Sequence, residues 1–135
     1  MYETIIERIK ERLESRDLKA VIIPHISPDG DAAGSCSALW QVLDRVGIQA
    51  QLMTCDYIPD YLKWLKRIPD AISFQNRPKE CKHWLHQADI LFMLDHNTVA
   101  REGDLEPFVK EFKGEVIMID HHPDPDDVTY RISVR

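Results

Sequence analysis

The stretch Lys19-Ala-Val-Ile-Ile-Pro24 runs directly into His25-Ile-Ser-Pro-Asp-Gly-Asp31, and this junction predicts both a fold and a site. Its first part is a short apolar run, typical of a strand that is buried on both faces of a sheet. Its second part is polar and holds an imidazole and two carboxylates. From Asp31 the apolar residues recur at helical spacing, and Gly47 is suited to end that helix.

The rest of the chain alternates apolar runs with helical patterns in the same way. Further strands are predicted at 48–54, 71–74, 89–95 and 115–120, with an edge strand at 128–134. Helices are predicted at 5–13, 57–66, 79–87 and 104–112. Strands separated by helices imply parallel β-α-β units. The predicted fold class is therefore α/β, a three-layer α/β/α domain with a mainly parallel sheet.

Three of the predicted strands end in acids and imidazoles. Leu91-Phe-Met-Leu94 runs into Asp95-His-Asn97, and Val116-Ile-Met-Ile119 runs into Asp120-His-His122, much as Pro24 runs into His25. Ligand sites of open parallel sheets lie beyond the carboxyl ends of the strands. If these strands are neighbours, their terminal side chains converge on one crevice.

Several carboxylates in one crevice require cations or protonation, because like charges a few ångströms apart repel strongly. Aspartate oxygens with a minority of histidine nitrogens suit Mn²⁺ or Mg²⁺, and cobalt or zinc less well. A shared carboxylate can bridge two ions about 3.5–4 Å apart, the arrangement that serves in-line attack of water on phosphorus. In a plainer interpretation, Asp29 or Asp31 caps the following helix, and Asp95 and Asp120 form turns.

Composition argues against several other classes of protein. The net charge is −6 and no run of lysines or arginines is present, which disfavours binding of long duplex nucleic acid. Three cysteines without a Cys-x-x-Cys pair disfavour a disulfide scaffold and favour a reducing compartment, so a cytoplasmic location is predicted. No apolar stretch approaches the roughly 18 residues of a membrane span.

At these motifs the chain resembles the DHH phosphoesterases. His25-Ile-Ser-Pro-Asp-Gly-Asp31-Ala-Ala-Gly-Ser35 resembles their first motif, Asp95 their second, and Asp120-His121-His122 the triplet that names the family. The order and separations match, and the resemblance covers most of the chain from Val21 onward.

The resemblance implies two metal ions. His25 and Asp29 would bind one ion, Asp31 and His121 the other, and Asp95 would bridge them. It also implies Mn²⁺ as the native metal, with Mg²⁺ or Co²⁺ as alternatives. Asp95 and His121 would accordingly belong to the catalytic residues.

Further roles follow from the same resemblance. Asp120 would orient a metal-binding imidazole without binding the metal itself, and His96 would likewise contact the ligands and not the metal. His122 would be a third catalytic residue, and would face the substrate phosphate or serve the second metal. The residues implied to contact substrate are His122, Gly34, Ser35 and Arg101. Gly34 has an alternative interpretation as a site of close helix–sheet packing, and Arg101 as a solvated loop residue.

The Pro-Asp-Gly-Asp-Ala sequence of the first motif favours the branch that resembles nano-RNases. The predicted substrates are short RNA or 3′-phosphoadenosine 5′-phosphate, and the prediction is compatible with a homodimer. Asp95-His96-Asn97 resembles instead the second motif of the family's inorganic pyrophosphatases, and cyclic-dinucleotide phosphodiesterases share the same catalytic half. An alternative from another class is a non-catalytic fragment that binds a metal or a partner.

Two features of the family have no counterpart after Asp127: a further metal-binding aspartate downstream of the triplet, and a second domain that holds the substrate. The expectation is therefore one catalytic domain, truncated at its carboxyl end, that binds at most one divalent ion tightly and shows little hydrolysis. Two other groups of residues are interpreted without a role in the site. His83 and His86 are predicted to be a surface pair, and Trp40, Trp64 and Trp84 to be packing residues.

Overall fold

The structure is a computed structural model that describes residues 18–24, 30–55, 60–94, 105–119 and 132–134. Its strands are β1 (Lys19–Pro24), β2 (Gln49–Thr54), β3 (Ile72–Ser73), β4 (Ile90–Leu94), β5 (Glu115–Ile119) and β6 (Ile132–Val134). Its α-helices are α1 (Gly30–Arg45), α2 (Pro78–Gln87) and α3 (Glu106–Lys110), and two short 3₁₀ helices span Asp60–Leu62 and Ile68–Asp70. The helix predicted at 5–13 lies outside the described residues.

The six strands form one sheet in the order β3-β2-β1-β4-β5-β6, and every neighbouring pair is parallel. From β1 the chain winds outward to β3, then returns to β4 on the other side of β1 and winds outward again. The strand order therefore reverses beside β1. The predicted α/β class with a mainly parallel sheet is confirmed, and β6 lies at the edge as predicted.

Successive residues of the central strands face two separate cores, because side chains alternate across a sheet. Ala20 and Ile22 join the core that includes Trp40 of α1. Val21 and Ile23 join the core that holds buried residues of α2 and α3. Helices therefore cover both faces, which gives the three predicted layers and explains why β1 is an unbroken apolar run.

Helix α1 ends at a left-handed glycine cap. Gly47 has φ +82°, the N–H of Gly47 donates to the carbonyl of Asp44, and the N–H of Ile48 donates to the carbonyl of Leu43. These two bonds form a Schellman motif. Leu43 and Ile48 are both buried in the same core, so the cap also sets the direction in which the chain enters β2.

The short helix predicted at 57–66 is, in the described part of that range, a 3₁₀ helix at Asp60–Leu62 followed by turns. Leu62, Leu65 and Ile68 point inward at a spacing of three residues, and the N–H groups of Leu65 and Ile68 donate to the carbonyls three positions earlier. A spacing of three is the period of a 3₁₀ helix, not of an α-helix. Trp64 consequently lies on the outer side with 79% of its surface exposed, so its prediction as a packing residue is also wrong. Trp40 is buried as predicted, and Trp84 packs against the second core.

Helix α3 is shorter than the predicted 104–112. It ends at Lys110, and the N–H of Phe112 donates to the carbonyl of Val109 in a tightened last turn. Over the part of the chain that the structure describes, no helix is long and apolar enough to span a membrane.

Candidate functional site

The carboxyl ends of three central strands lie level with one another. Pro24 of β1 is the Cα partner of Leu94 of β4, and Leu94 is the Cα partner of Ile119 of β5. Neighbouring strands are about 4.8 Å apart, so the three ends fall within roughly 10 Å. In the sequence these residues directly precede His25, Asp95 and Asp120. The neighbourhood required for a shared crevice is therefore present.

Helix α1 begins at this same edge, because the chain passes from the end of β1 to Gly30 within a few residues. Asp31 lies in its first turn. The amino terminus of a helix favours negatively charged groups, since its first N–H groups lack partners within the helix. The core side of α1 carries Ala33, Cys36 and Trp40, whereas Ser35 is exposed. Ser35 is thus free of any core role and remains on the solvent side of the helix.

Gly34 has two interpretations, and the described residues bear on one of them, close helix–sheet packing. A Cβ atom built on Gly34 meets no heavy atom within 4 Å among the described residues. Close helix–sheet packing would place such a neighbour there, so that interpretation has no support in this part of the chain. As far as the described residues show, the absent side chain leaves space beside the second turn of α1, toward the end of the helix that lies at the carboxyl edge.

Most of the predicted site residues lie outside the described residues. They are His25, Asp29, Asp95, His96, Arg101, Asp120, His121 and His122, and for Asp31 only the backbone is described. The structure therefore gives the position of the strand ends and of the helix that frame the site, and the ligand roles of these residues stay predictions.

Two buried hydroxyl groups lie at the same edge and were not anticipated from the sequence. Thr54 and Ser73 end β2 and β3, are Cα partners, and have exposed fractions of 1% and 8%. They line a cavity of about 160 Å³ with residues that include Lys63, Asn76 and Arg77. In the sequence they are single polar residues among apolar ones, so only the strand order could reveal that they extend the candidate edge.

A pair of histidines on α2, His83 and His86, was predicted to lie on the surface. His83 and His86 are exposed on α2. In the described ranges, no group of three or more histidine, cysteine, aspartate or glutamate side chains is arranged to hold a metal ion. The exposure of both side chains confirms the predicted surface pair.

Comparison with known proteins adds to this geometry. A family model described as the DHH family, N-terminal domain, matches residues 19–134. A matching solved structure is that of an exopolyphosphatase-related protein from Bacteroides fragilis, with a TM-score of 0.92 and 32% sequence identity. The match covers 98% of this chain and 38% of that one, so this chain spans well under half the length of that relative. No curated protein matches the sequence.

Proposed function

This chain belongs to the DHH family, and on that premise we propose that it is the metal-binding half of a phosphoesterase whose site lies at the carboxyl edge of the sheet. The observation that supports the proposal most is the level register of Pro24, Leu94 and Ile119. A two-metal centre needs ligands from separate segments within a few ångströms of one another. Neighbouring strand ends supply such segments. A sheet in which other strands lay between these three would hold the segments too far apart.

The donor set fits two divalent ions. His25 and Asp29 would hold one ion, Asp31 and His121 the other, and Asp95 would be shared. Three carboxylates and two imidazoles match the preference of Mn²⁺ for oxygen ligands with some nitrogen, and Mg²⁺ or Co²⁺ are alternatives. When bound, such ions supply a Lewis-acid centre that favours attack of water on phosphorus.

The protein's own groups then position the substrate. His122 would face the phosphate, and Asp120 and His96 would orient neighbouring imidazoles. The space beside Gly34, the exposed Ser35 and the amino terminus of α1 favour an anion at this place. Arg101 would bind a further phosphate oxygen, because its planar guanidinium group can donate two parallel hydrogen bonds.

We propose short oligoribonucleotides and 3′-phosphoadenosine 5′-phosphate as substrates, acted on by an intact protein in the cytoplasm. The Pro28-Asp-Gly-Asp-Ala32 sequence of the first motif supports this choice, which follows the resemblance to nano-RNases. We also propose that the protein can form a homodimer, which is compatible with the resemblance to nano-RNases.

A linear polyphosphate is a second candidate substrate. The matched structure from Bacteroides fragilis is described as exopolyphosphatase-related, and its sequence is 32% identical to this chain over the matched region. In both candidate reactions water attacks phosphorus. The bond that breaks is a phosphoester in the nucleotide substrates and a phosphoanhydride in polyphosphate, and only the nucleotide substrates offer a base and a sugar for recognition.

The experiment is an assay of the intact protein with Mn²⁺ on five substrates in parallel. They are a dinucleotide, 3′-phosphoadenosine 5′-phosphate, a cyclic dinucleotide, pyrophosphate and a linear polyphosphate. Fastest turnover of the first two supports the proposal, and fastest turnover of polyphosphate supports the second candidate. The absence of turnover on all five, with Mn²⁺ binding intact, would show a metal-binding protein without this catalysis.

A further inference from the structure

A second cavity lies between α2 and α3, on the face of the sheet that these two helices cover. This groove of about 940 Å³ is lined by residues of α2, of α3 and of the turn that precedes β5. Ala88 and Gly114 of its lining come just before the first residues of β4 and β5. It therefore reaches the amino ends of these strands and extends along α2 as far as Lys79, in the first turn of that helix. None of its lining residues is among those predicted to bind the metal ions.

The rim of the groove is positively charged. Among its described lining residues are Lys79, Lys82 and Lys113, opposed by the single acid Glu111. All three lysines are exposed, and none has an ion-pair partner in the described part of the chain. Because the whole chain carries a net charge of −6, this local excess of positive charge is contrary to the composition. It favours an anionic ligand.

The floor of the groove is apolar and partly aromatic. Phe108, Phe112 and Leu85 line it, and the Lys82 Nζ lies 5.3 Å from the centroid of the Phe108 ring. A Cβ atom on Gly114 would lie 2.8 Å from the ring of Phe112, so that ring packs directly against the glycine backbone. Phe112 therefore contacts the turn that precedes β5 as well as lining the groove.

His83 and His86 complete the rim with two exposed imidazoles. Imidazoles and lysines both donate hydrogen bonds to phosphate oxygens, and aromatic rings provide a surface on which a base can stack. The volume is within the range of sites that bind small molecules, about 300–1,000 Å³. An inorganic anion would leave the aromatic floor unused, and a neutral base would leave the lysines unused.

We propose that this groove is a mononucleotide-binding site, with the phosphate on the lysine rim and the base against Phe108 and Phe112. Its lining includes none of the residues proposed to contact the substrate at the carboxyl edge, and its occupancy does not require metal. The ligand class is set by the pairing of uncompensated positive charge with an aromatic floor.

The test is calorimetric titration of the intact protein with adenosine 5′-monophosphate, inorganic phosphate and adenosine. The protein carries Asp95→Ala and is kept in chelator, so that the candidate metal site does not contribute. We expect the monophosphate to bind at least tenfold more tightly than phosphate or adenosine. Equal affinity for inorganic phosphate would overturn the nucleotide assignment, as would tighter binding of an oligoglutamate peptide.

Matched variants locate the binding. Lys82→Gln with Lys113→Gln should weaken binding of the monophosphate at least tenfold, and Phe112→Leu should weaken it while leaving phosphate binding unchanged. Arg45→Gln with Lys66→Gln removes the same charge elsewhere on the exposed surface and should leave the affinity unaltered. Circular dichroism melts identify any variant that fails to fold. Equal losses in both double variants would show a general charge effect and refute the site.

Discussion

Pro24 of β1 and Leu94 of β4 are Cα partners across the centre of the sheet, at the place where the strand order reverses. Consecutive Cα atoms are about 3.8 Å apart, so the residues that follow these partners start from neighbouring positions. Those residues are His25 and Asp95. The register therefore meets the geometric requirement of the proposed shared metal, which is that the first and second motifs begin at adjacent strand ends.

Replacing the proposed bridging ligand should damage the site most. We expect Asp95→Ala in the intact protein to lower kcat by more than about 100-fold, because loss of a direct ligand should exceed the 10–100-fold effect typical of outer residues. His96→Ala is the comparison, milder for a nano-RNase-like site and severe for a pyrophosphatase-like one. Steady-state kinetics with Mn²⁺ titration measures both. Equal tolerance of the two changes would contradict both interpretations.

Gly34→Ala separates stability from substrate binding. Alanine is better than glycine inside a helix by roughly 0.5–1 kcal/mol, and a Cβ at this position meets nothing within 4 Å in the described structure. We therefore expect the free energy of unfolding to be unchanged or slightly higher, while KM for the phosphate substrate rises. Urea unfolding and steady-state kinetics test this. A destabilised variant with normal KM would restore the packing interpretation.

Gly114→Ala should have the opposite effect on stability. The added Cβ would overlap the Asp89 carbonyl and lie 2.8 Å from the Phe112 ring, so the backbone or the ring must move. Overpacking of this kind costs roughly 1–3 kcal/mol. Urea unfolding beside Gly34→Ala makes a matched pair, since both exchange glycine for alanine. A Gly114→Ala protein as stable as the parent would show that the turn relaxes freely.

Arg67 combines favourable contacts with an unfavourable backbone. Its guanidinium carbon lies 4.2 Å from the centroid of the Trp40 ring, its Nη1 lies 2.9 Å from Asp70 Oδ2, and its φ is +72°. Arg67→Ala loses the contacts and keeps the strain, so we expect a loss of roughly 1–2 kcal/mol.

Arg67→Gly loses the same contacts but removes the left-handed strain, which costs roughly 1–2 kcal/mol for a residue with a Cβ. The glycine variant should therefore unfold at higher urea concentration than the alanine variant. If the alanine variant is the more stable, the positive φ carries no measurable strain.

Cys81 should resist thiol reagents in the folded protein. Burial, with a smaller effect of Glu80, raises the pKa of the Cys81 thiol to about 12. Because the reactive form is the thiolate, a raised pKa leaves very little of it at pH 8. Cys55 is only partly buried. Alkylation at pH 8 followed by mass spectrometry should label Cys55 first, and the two sites should react alike in urea. Native labelling of Cys81 at the rate of Cys55 would contradict this.

The regular elements were predictable where the apolar period is clear. β1 and β4 are uninterrupted apolar runs because both faces of the sheet are covered, and α1 changes to helical spacing and ends before Gly47. The segment after β2 was not predictable in the same way. Leu62, Leu65 and Ile68 repeat every three residues, and a short pattern of that kind is compatible with either an α-helix or a 3₁₀ helix until the packing decides.

The location of the candidate site was predictable, and part of its surroundings was not. Strand ends followed by acids and histidines pointed to the carboxyl edge, and the register brings those ends together. Thr54 and Ser73 join that edge only because β2 and β3 pair in register. The lysines of the groove come from α2 and from the turn after α3, so no sequence window contains them all.

The central position of β1 has a consequence for synthesis on the ribosome. Its partner on one side, β2, follows within about 30 residues, but Ile90 of β4 lies 70 positions after its partner Ala20. At about 5–20 residues per second, the other edge of β1 waits roughly 4–14 s for β4 to emerge. During that interval one edge of β1 has no partner strand. This strand contains Val21 and Ile23, which are fully buried in the folded protein. Slow translation of residues 50–90 would lengthen this period and increase the nascent chain's dependence on chaperones.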